Sequence, residues 1–426
     1  MGTTRWIRDV LRKAPIPFRL VTTCGGDFLR ELLETPGISG ILREVVVPYS
    51  PESMTEYLGF PVEHASSERT ARQLAVRAAC TRRHEKFSGT NPPETTGKSD
   101  ETGVCGLAAV ASLVSDRPKR GEHRVDVAYA SEREVRVFHV TLTKGKRDRA
   151  SEDRLAGELL ALALATAAGV IESPPEGAWR YPASFERSED TGELRTLDET
   201  ESLTSRGVVA PDPWRRLWRG EIPYIWCTIP EHGAWRWEEP DERKTPERTL
   251  VFPGSWNPLH RGHRTMMRIA EEKTGMRGVY ECAIRNVDKP PLDYLEVADR
   301  LRHFEAGSQV ILSGLATFDE KSQYLRGSTF IVGADTCRRL VDVRYHGNSE
   351  QERDRTLERM IDRNCGFLIF GRVEPGDPAV PGRHFDDLRN PAVPEILRRH
   401  SEFIPESEFR DDISSTELRR SAIGNS

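Results

Sequence analysis

From Thr249 onward the chain alternates short apolar runs with amphipathic stretches, and few architectures accept that order. TLVF, GVYECAI, SQVILS, STFIVG and CGFLIFG have the length and composition of strands, while RGHRTMMRIAEE, LEVADRLRHF and ISSTELRRSA carry helical spacing. Strands separated by helices imply a parallel, doubly wound sheet with helices on both faces. Ligands of such sheets bind at the carboxyl ends of the strands, and the polar motifs of this half fall there.

The front half follows a related pattern. A strand at Leu20–Thr23 runs into Gly25-Gly26 and a helix reaching Glu34, and REVVVPYS reads as a second strand. Ser50, Pro51 and Glu52 form an N-cap, a first-turn proline and a dipole-favoured acid, predicting a helix through Tyr57. SSERTARQLAVRAACTRRHE predicts a serine-capped helix, HRVDVAYAS with REVRVFHVTL an antiparallel hairpin, and RLAGELLALALATAAGV a long buried helix. Between the halves, residues 172–248 hold prolines, acids and Trp179, Trp214, Trp218, Trp235 and Trp237 without sustained periodicity. They are expected to link a domain at 1–171 to one at 249–426, with WRRLWRGEIPYIWCTIP docking as a strand on either domain, because that many tryptophans rarely stay exposed.

Bulk properties narrow the function. A length of 426 residues exceeds one ordinary core, and no apolar run is long enough to cross a bilayer. The opening residues lack an apolar segment followed by a small-residue cleavage site, so a cytoplasmic protein is expected. Seven scattered cysteines with no C-x-x-C pair argue against a disulfide framework or a zinc site, and no protein-held metal is expected. With 62 basic against 67 acidic residues, no global field recruits a nucleic acid, so any phosphate site must be local.

GSWNPLHRGH, Gly254 to His263, supplies such a site. A strand ends at Phe252, a Pro-Gly-Ser turn follows, and His260 and His263 straddle a helix start, whose unpaired N–H groups and positive dipole end bind phosphate. Gly262 leaves room for a phosphate to approach the backbone. A bare His-x-Gly-His is as common on solvated helix starts, but the whole string closely resembles the signature of the nucleotidylyltransferase superfamily, with Trp256 in place of the usual phenylalanine. ISSTELRR, Ile413 to Arg420, is by itself a capping box of Ser414 with Glu417. It also resembles the I-S-S-T-x-x-R motif of the same superfamily, in the expected order along the chain.

The resemblance implies adenylyl transfer from ATP to a phosphorylated small-molecule acceptor, with release of pyrophosphate. Gly254, Ser255, Trp256, Gly262, Ser414, Ser415 and Thr416 would bind the nucleotide. His260, His263 and Arg419 would carry catalysis by steadying phosphates, and Mg²⁺ would arrive with ATP. FIVGADT resembles the G-A-D segment of nicotinate-mononucleotide adenylyltransferases, which places Gly333 and Asp335 near the adenosine, although a ligand-free turn aspartate fits as well. NVDKPPL lies where that family builds its acceptor loop, giving Asn286 and Lys289, together with Asn257, as acceptor contacts. Nicotinate or nicotinamide mononucleotide is the leading acceptor. Cytidylyl transfer, phosphopantetheine as acceptor, and a silent nucleotide-binding regulator are the alternatives.

The front half, roughly residues 10–170, resembles the CinA C-terminal family of nicotinamide-nucleotide amidases. Its VTTCGGDF, VPYSPESM and the Gly-rich turn near VCGLAAVAS carry the likeness. The catalytic positions depart from the family: the nucleophilic serine falls on Thr22, the lysine on Met54 and the turn on Cys105 to Val110, with Tyr49 retained. A thioether accepts no proton, so this domain is expected to be inactive and to bind a nucleotide, regulate its partner or form a homo-oligomer. The fold expected is therefore α/β in two domains: a CinA-like α/β domain, then a Rossmann-like, doubly wound nucleotidyltransferase domain.

Overall fold

The computed structural model describes residues 2–79, 103–117, 119–172, 177–179, 197, 200–231, 235–240, 249–285, 291–373, 385–386 and 393–410. The chain divides into two compact units, Met1–Ser88 with Pro92–Pro211 and Asp293–Glu296, and Gly89–Asn91 with Asp212–Leu292 and Val297–Ser426.

The first unit comprises α1 (Gly2–Lys13), β1 (Phe18–Thr22), α2 (Gly26–Glu34), β2 (Leu42–Val46), α3 (Pro51–Leu58), α4 (Glu68–Ala79), β3 (Cys105–Ser112), β4 (His123–Ala130), β5 (Glu134–Leu142), α5 (Arg149–Ala167), β6 (Gly177–Trp179) and β7 (Leu203–Val209). Its sheet has the order β2-β1-β3-β4-β5-β7-β6; the first three strands are parallel and the rest antiparallel. Alternation in the expected hairpin turns Val125, Val127 and Tyr129, with Phe138, Val140 and Leu142, into one core with α1, α2 and α5. The long apolar run of α5 is buried nearly all round, as its composition requires. Ser50 caps α3 by accepting the Ser53 N–H at 3.1 Å.

The segment beginning at Cys105 is a central strand, not the expected Gly-rich turn. Gly106 is there because α4 rests on it: a Cβ at this position would lie 1.9 Å from the Ala75 carbonyl oxygen.

The second unit comprises α6 (Asp212–Arg219), β8 (Tyr224–Thr228), β9 (Arg236–Glu238), β10 (Leu250–Pro253), α7 (Arg261–Thr274), β11 (Gly278–Ala283), α8 (Tyr294–Leu301, in this unit from Val297), β12 (Gln309–Ser313), α9 (Phe318–Tyr324), β13 (Thr329–Gly333), α10 (Ala334–Val341), α11 (Glu350–Asp362), β14 (Gly366–Phe370), the short pair β15 (Arg372–Val373) and β16 (Phe385–Asp386), α12 (Glu395–Arg399) and β17 (Ser401–Ile404). Its main sheet runs β17-β14-β13-β10-β11-β12-β8-β9. The six strands from β17 to β12 are parallel, and β8 and β9 add antiparallel beyond β12. Numbered among themselves, the parallel strands stand in the order sixth, fifth, fourth, first, second, third, which is the doubly wound order. Its switch point lies between β10 and β13.

Within the stretch expected to link the domains, β6 and β7 end the sheet of the first unit, while α6, β8 and β9 belong to the second, where β8 docks as a strand against β12. Trp214 is buried and stacks on Trp218 and Trp235 at 6.0 and 6.3 Å, with Trp237 edge-on at 5.1 Å. Half-buried Trp218, Trp235 and Trp237 thus pack around Trp214, which explains the density of tryptophan in an aperiodic stretch. The closing helix expected at ISSTELRRSA lies outside the described residues.

Candidate nucleotide site

The turn after β10 is held from several sides. The Gly254 N–H donates to the Glu281 carbonyl at 2.9 Å, and the Trp256 Nε1–H donates to the same oxygen at 2.8 Å. Arg300 Nη1 donates to the Ser255 carbonyl at 2.7 Å. Trp256 sits at φ 49°, a left-handed conformation that costs a bulky residue roughly 1–2 kcal/mol. Its ring offsets that cost by full burial among Phe252, Tyr280, Phe304 and His263, with centroids between 4.9 and 6.1 Å away. Gly254 is required by the same ring, because a Cβ there would come within 2.4 Å of it.

His260 is the extended residue that caps α7, and the first turn carries Arg261, buried Gly262 and His263. The two imidazoles stack with centroids 3.7 Å apart. The His260 N–H donates to His263 Nδ1 at 3.3 Å, so in the neutral ring the proton resides on Nε2. Burial, then the neighbouring His260 and Arg264, pushes the His263 pKa down to about 3. At neutral pH His263 is therefore an uncharged ring with its donor proton on Nε2, in the first turn of a helix whose opening amides have no intrahelical partner.

The parallel pairing of β10 with β13 brings Gly333 to the same end of the sheet as the Gly254 turn. Gly333 caps α10, so the G-A-D segment is a helix start rather than a simple turn, and Asp335 lies exposed in its first turn beside Arg338 Nη1 at 3.1 Å. Asn257 lies in the turn leading to α7. Ser414, Ser415, Thr416 and Arg419, and likewise Asn286 and Lys289, lie outside the described residues. The donors gathered at the turn are amides and an imidazole N–H, which suit phosphate oxygens rather than a cation. Among the described residues no group of three or more His, Cys, Asp or Glu converges as a metal site.

Arg300, Glu281 and Lys321 are hardly marked in the sequence. Glu281 Oε1 lies 3.1 Å from Lys321 Nζ, with both side chains almost wholly buried. An acid inside the otherwise apolar GVYECAI is the available signal for it. Arg300 carries none, since it reads as an ordinary polar position of a helix.

In the first unit the positions singled out from the amidase resemblance lie on β1, β3, α3 and the loop before it, and Ala109 of the Cys105–Val110 segment pairs with Thr22. Thr22 is buried at the end of β1, where its hydroxyl donates to the Cys24 carbonyl at 2.6 Å. Cys105 pairs with Phe18, at the other end of β1 from Thr22, and burial pushes its thiol up to about 12. Met54 is buried in α3, and Tyr49 is exposed with its hydroxyl accepting from Arg149 Nη2 at 3.1 Å. The Gly25 and Gly26 amides, which open α2, each donate at 2.8 Å to one carboxylate oxygen of Asp153. The anion-binding start of this helix is thus filled by the protein's own carboxylate.

Comparison with known proteins gives the class first: residues 251–421 match the Cytidylyltransferase-like family model, and the C-terminal half of the chain is a nucleotidyltransferase-like domain. More particularly, a 190-residue stretch is 28% identical to a protein described as a probable nicotinate-nucleotide adenylyltransferase of Gloeobacter violaceus, covering 41% of this chain and 82% of that one. The N-terminal part has structural neighbours in the CinA family. One is the competence/damage inducible protein CihA from Agrobacterium tumefaciens, with a TM-score of 0.31 and 17% identity over 39% of this chain and 96% of that chain. Another is a CinA superfamily protein from Klebsiella pneumoniae, with a TM-score of 0.31 and 14% identity over 40% of this chain and 100% of that chain. Among the described residues no helix is long and apolar enough to cross a membrane.

Proposed function

We propose that the second unit transfers the adenylyl group of ATP to nicotinate or nicotinamide mononucleotide, releasing pyrophosphate. The observation that carries the reading is the phosphate-ready turn at the switch point, with His263 locked as a neutral Nε2–H donor beside the start of α7. The name of the Gloeobacter relative supports the acceptor. In the reaction a phosphate oxygen of the mononucleotide attacks the α-phosphorus in line, the bond to the β-phosphate bridging oxygen breaks, and the electron pair leaves with pyrophosphate. The α7 amides and His263 would hold the triphosphate and meet the charge that grows on the leaving oxygens. Ser414, Ser415, Thr416 and Arg419 would grip the β- and γ-phosphates, with Asp335 toward the ribose. Mg²⁺, held by phosphate oxygens and water, would neutralise part of that charge.

No side chain need act as nucleophile, so catalysis reduces to positioning and electrostatics. The family description favours one second reading, cytidylyl transfer from CTP to another phosphorylated acceptor. Pyrophosphate release should be measured with ATP or CTP and Mg²⁺ against a panel of phosphorylated acceptors, with products identified by mass. The expected outcome is a dinucleotide from ATP and a nicotinate-type acceptor, falling at least about 100-fold in His263→Ala. A product from CTP alone selects the second reading. Full activity in His263→Ala refutes the role given to that ring.

A further inference from the structure

We infer that Lys321 and Glu281 are positioning residues of the nucleotide site: their buried ion pair fixes the one carbonyl that holds both ends of the Gly254–Trp256 turn. Only the nucleotide-binding part of this inference rests on the function proposed above.

Glu281 lies on β11, Lys321 on α9 and Ser313 on β12, and all three are buried. Lys321 Nζ stands 3.1 Å from Glu281 Oε1, the Ser313 hydroxyl donates to that same oxygen, and Lys321 also donates to the Leu315 carbonyl. The glutamate is therefore tied to both neighbouring elements. Val279, Ile311, Leu315 and Leu325, from the same elements and the loops beside them, belong to an apolar core cluster of this unit. In such surroundings an apolar pair of similar volume stabilises a fold as well as an ion pair does, because desolvation offsets the attraction. Stability alone does not account for the charges.

The backbone of Glu281 supplies the account. Its carbonyl accepts the Gly254 N–H at 2.9 Å and the Trp256 Nε1–H at 2.8 Å, so both lone pairs are committed to the turn. Pro253 is the ladder partner of Glu281, which makes this the last register position of β10 against β11. Beyond it the turn departs from the sheet, and Trp256 takes its left-handed φ of 49°. A strained residue persists only where its surroundings over-determine it. A glutamate whose side chain is anchored to β12 and α9 cannot let its peptide group tilt, and both bonds to the turn depend on that tilt. Arg300, bonded to the Ser255 carbonyl at 2.7 Å, holds the middle of the same turn.

The test compares wild type, Lys321→Met and the double variant Lys321→Met/Glu281→Leu in the full chain. Thermal midpoints, NMR hydrogen exchange at the Gly254 amide and the Trp256 indole, and calorimetric binding of ATP are measured for each. The single variant should melt lower, because it leaves a carboxylate buried without its cation, and the double variant should regain most of that loss. In the double variant exchange at Gly254 and Trp256 should nevertheless be at least about tenfold faster than in wild type, and ATP should bind about tenfold more weakly. A merely structural pair predicts that stability, exchange and binding recover together, and that result overturns the proposal. If the double variant does not fold, Ser313→Ala carries the test: exchange should rise at Gly254 and Trp256 above any rise at other β11 amides, and an unselective rise overturns it. Exchange requires no ligand, so a wild-type protein that binds no ATP would count against the nucleotide reading while the exchange data still decide whether the pair positions the turn.

Discussion

His263 combines two properties that a solvated histidine lacks: a fixed tautomer and a pKa near 3. The sign of its effect on stability follows. The folded ring resists protonation that the unfolded chain accepts near pH 6.5, so between about pH 6.5 and 3 the unfolded state binds more protons and stability falls as the pH is lowered. The slope from this one group is up to about 1.4 kcal/mol per pH unit. Denaturant unfolding at pH 7 and pH 5 should show wild type losing more stability than His263→Gln; an equal loss means that the ring is not held neutral. Glu281 makes a complementary point, because its side chain and its carbonyl serve different elements at once.

Elements in this protein meet where side chains are missing. The expected turn at Gly106 is a strand on which α4 rests, and the absent Cβ sets the distance between them. Gly106→Ala should therefore destabilise the first unit by about 3 kcal/mol, since the obstructing atom is a helix carbonyl rather than a flexible side-chain end. Gly40→Ala, with nothing within 4 Å of the added methyl, is the control and should change the melting midpoint little. In the second unit β10, its turn and α7 form one local element: the strand ends at a carboxyl edge, the turn is clamped, and the helix starts at His260. The spacing of GSWNPLHRGH made that element legible, because each residue's task there is set by near neighbours in sequence. At VCGLAAVAS the turn implied by the family resemblance is a strand instead, because its small residues serve close packing against a helix more than 25 residues earlier in the chain.

At the scale of the whole molecule, a nucleotidyltransferase-like domain is joined in one chain to a unit whose Thr22 has no basic side chain among its hydrogen-bond partners within the described residues. Thr22 gives its proton to a backbone carbonyl, Cys105 sits at the far end of the strand, and Asp153 occupies the amides that open α2. A hydroxyl without a base is a poor nucleophile, so the protein should release no ammonia from nicotinamide mononucleotide. Release that disappears in Thr22→Ala would overturn this. By itself the sequence determined the alternation of strands and helices, the doubly wound character of the second half and the place of the Gly254 turn, because all three are written in period, cap and turn chemistry over a dozen residues or fewer. Tertiary structure alone decided that β6 and β7 join one sheet and β8 and β9 the other, that Cys105 and Thr22 lie at opposite ends of β1, and that Arg300, Glu281 and Lys321 converge behind the Gly254 turn. Those outcomes depend on strand order and on pairings between residues tens of positions apart. Only folding brings such residues together, and no local pattern records which partner a buried charge will find.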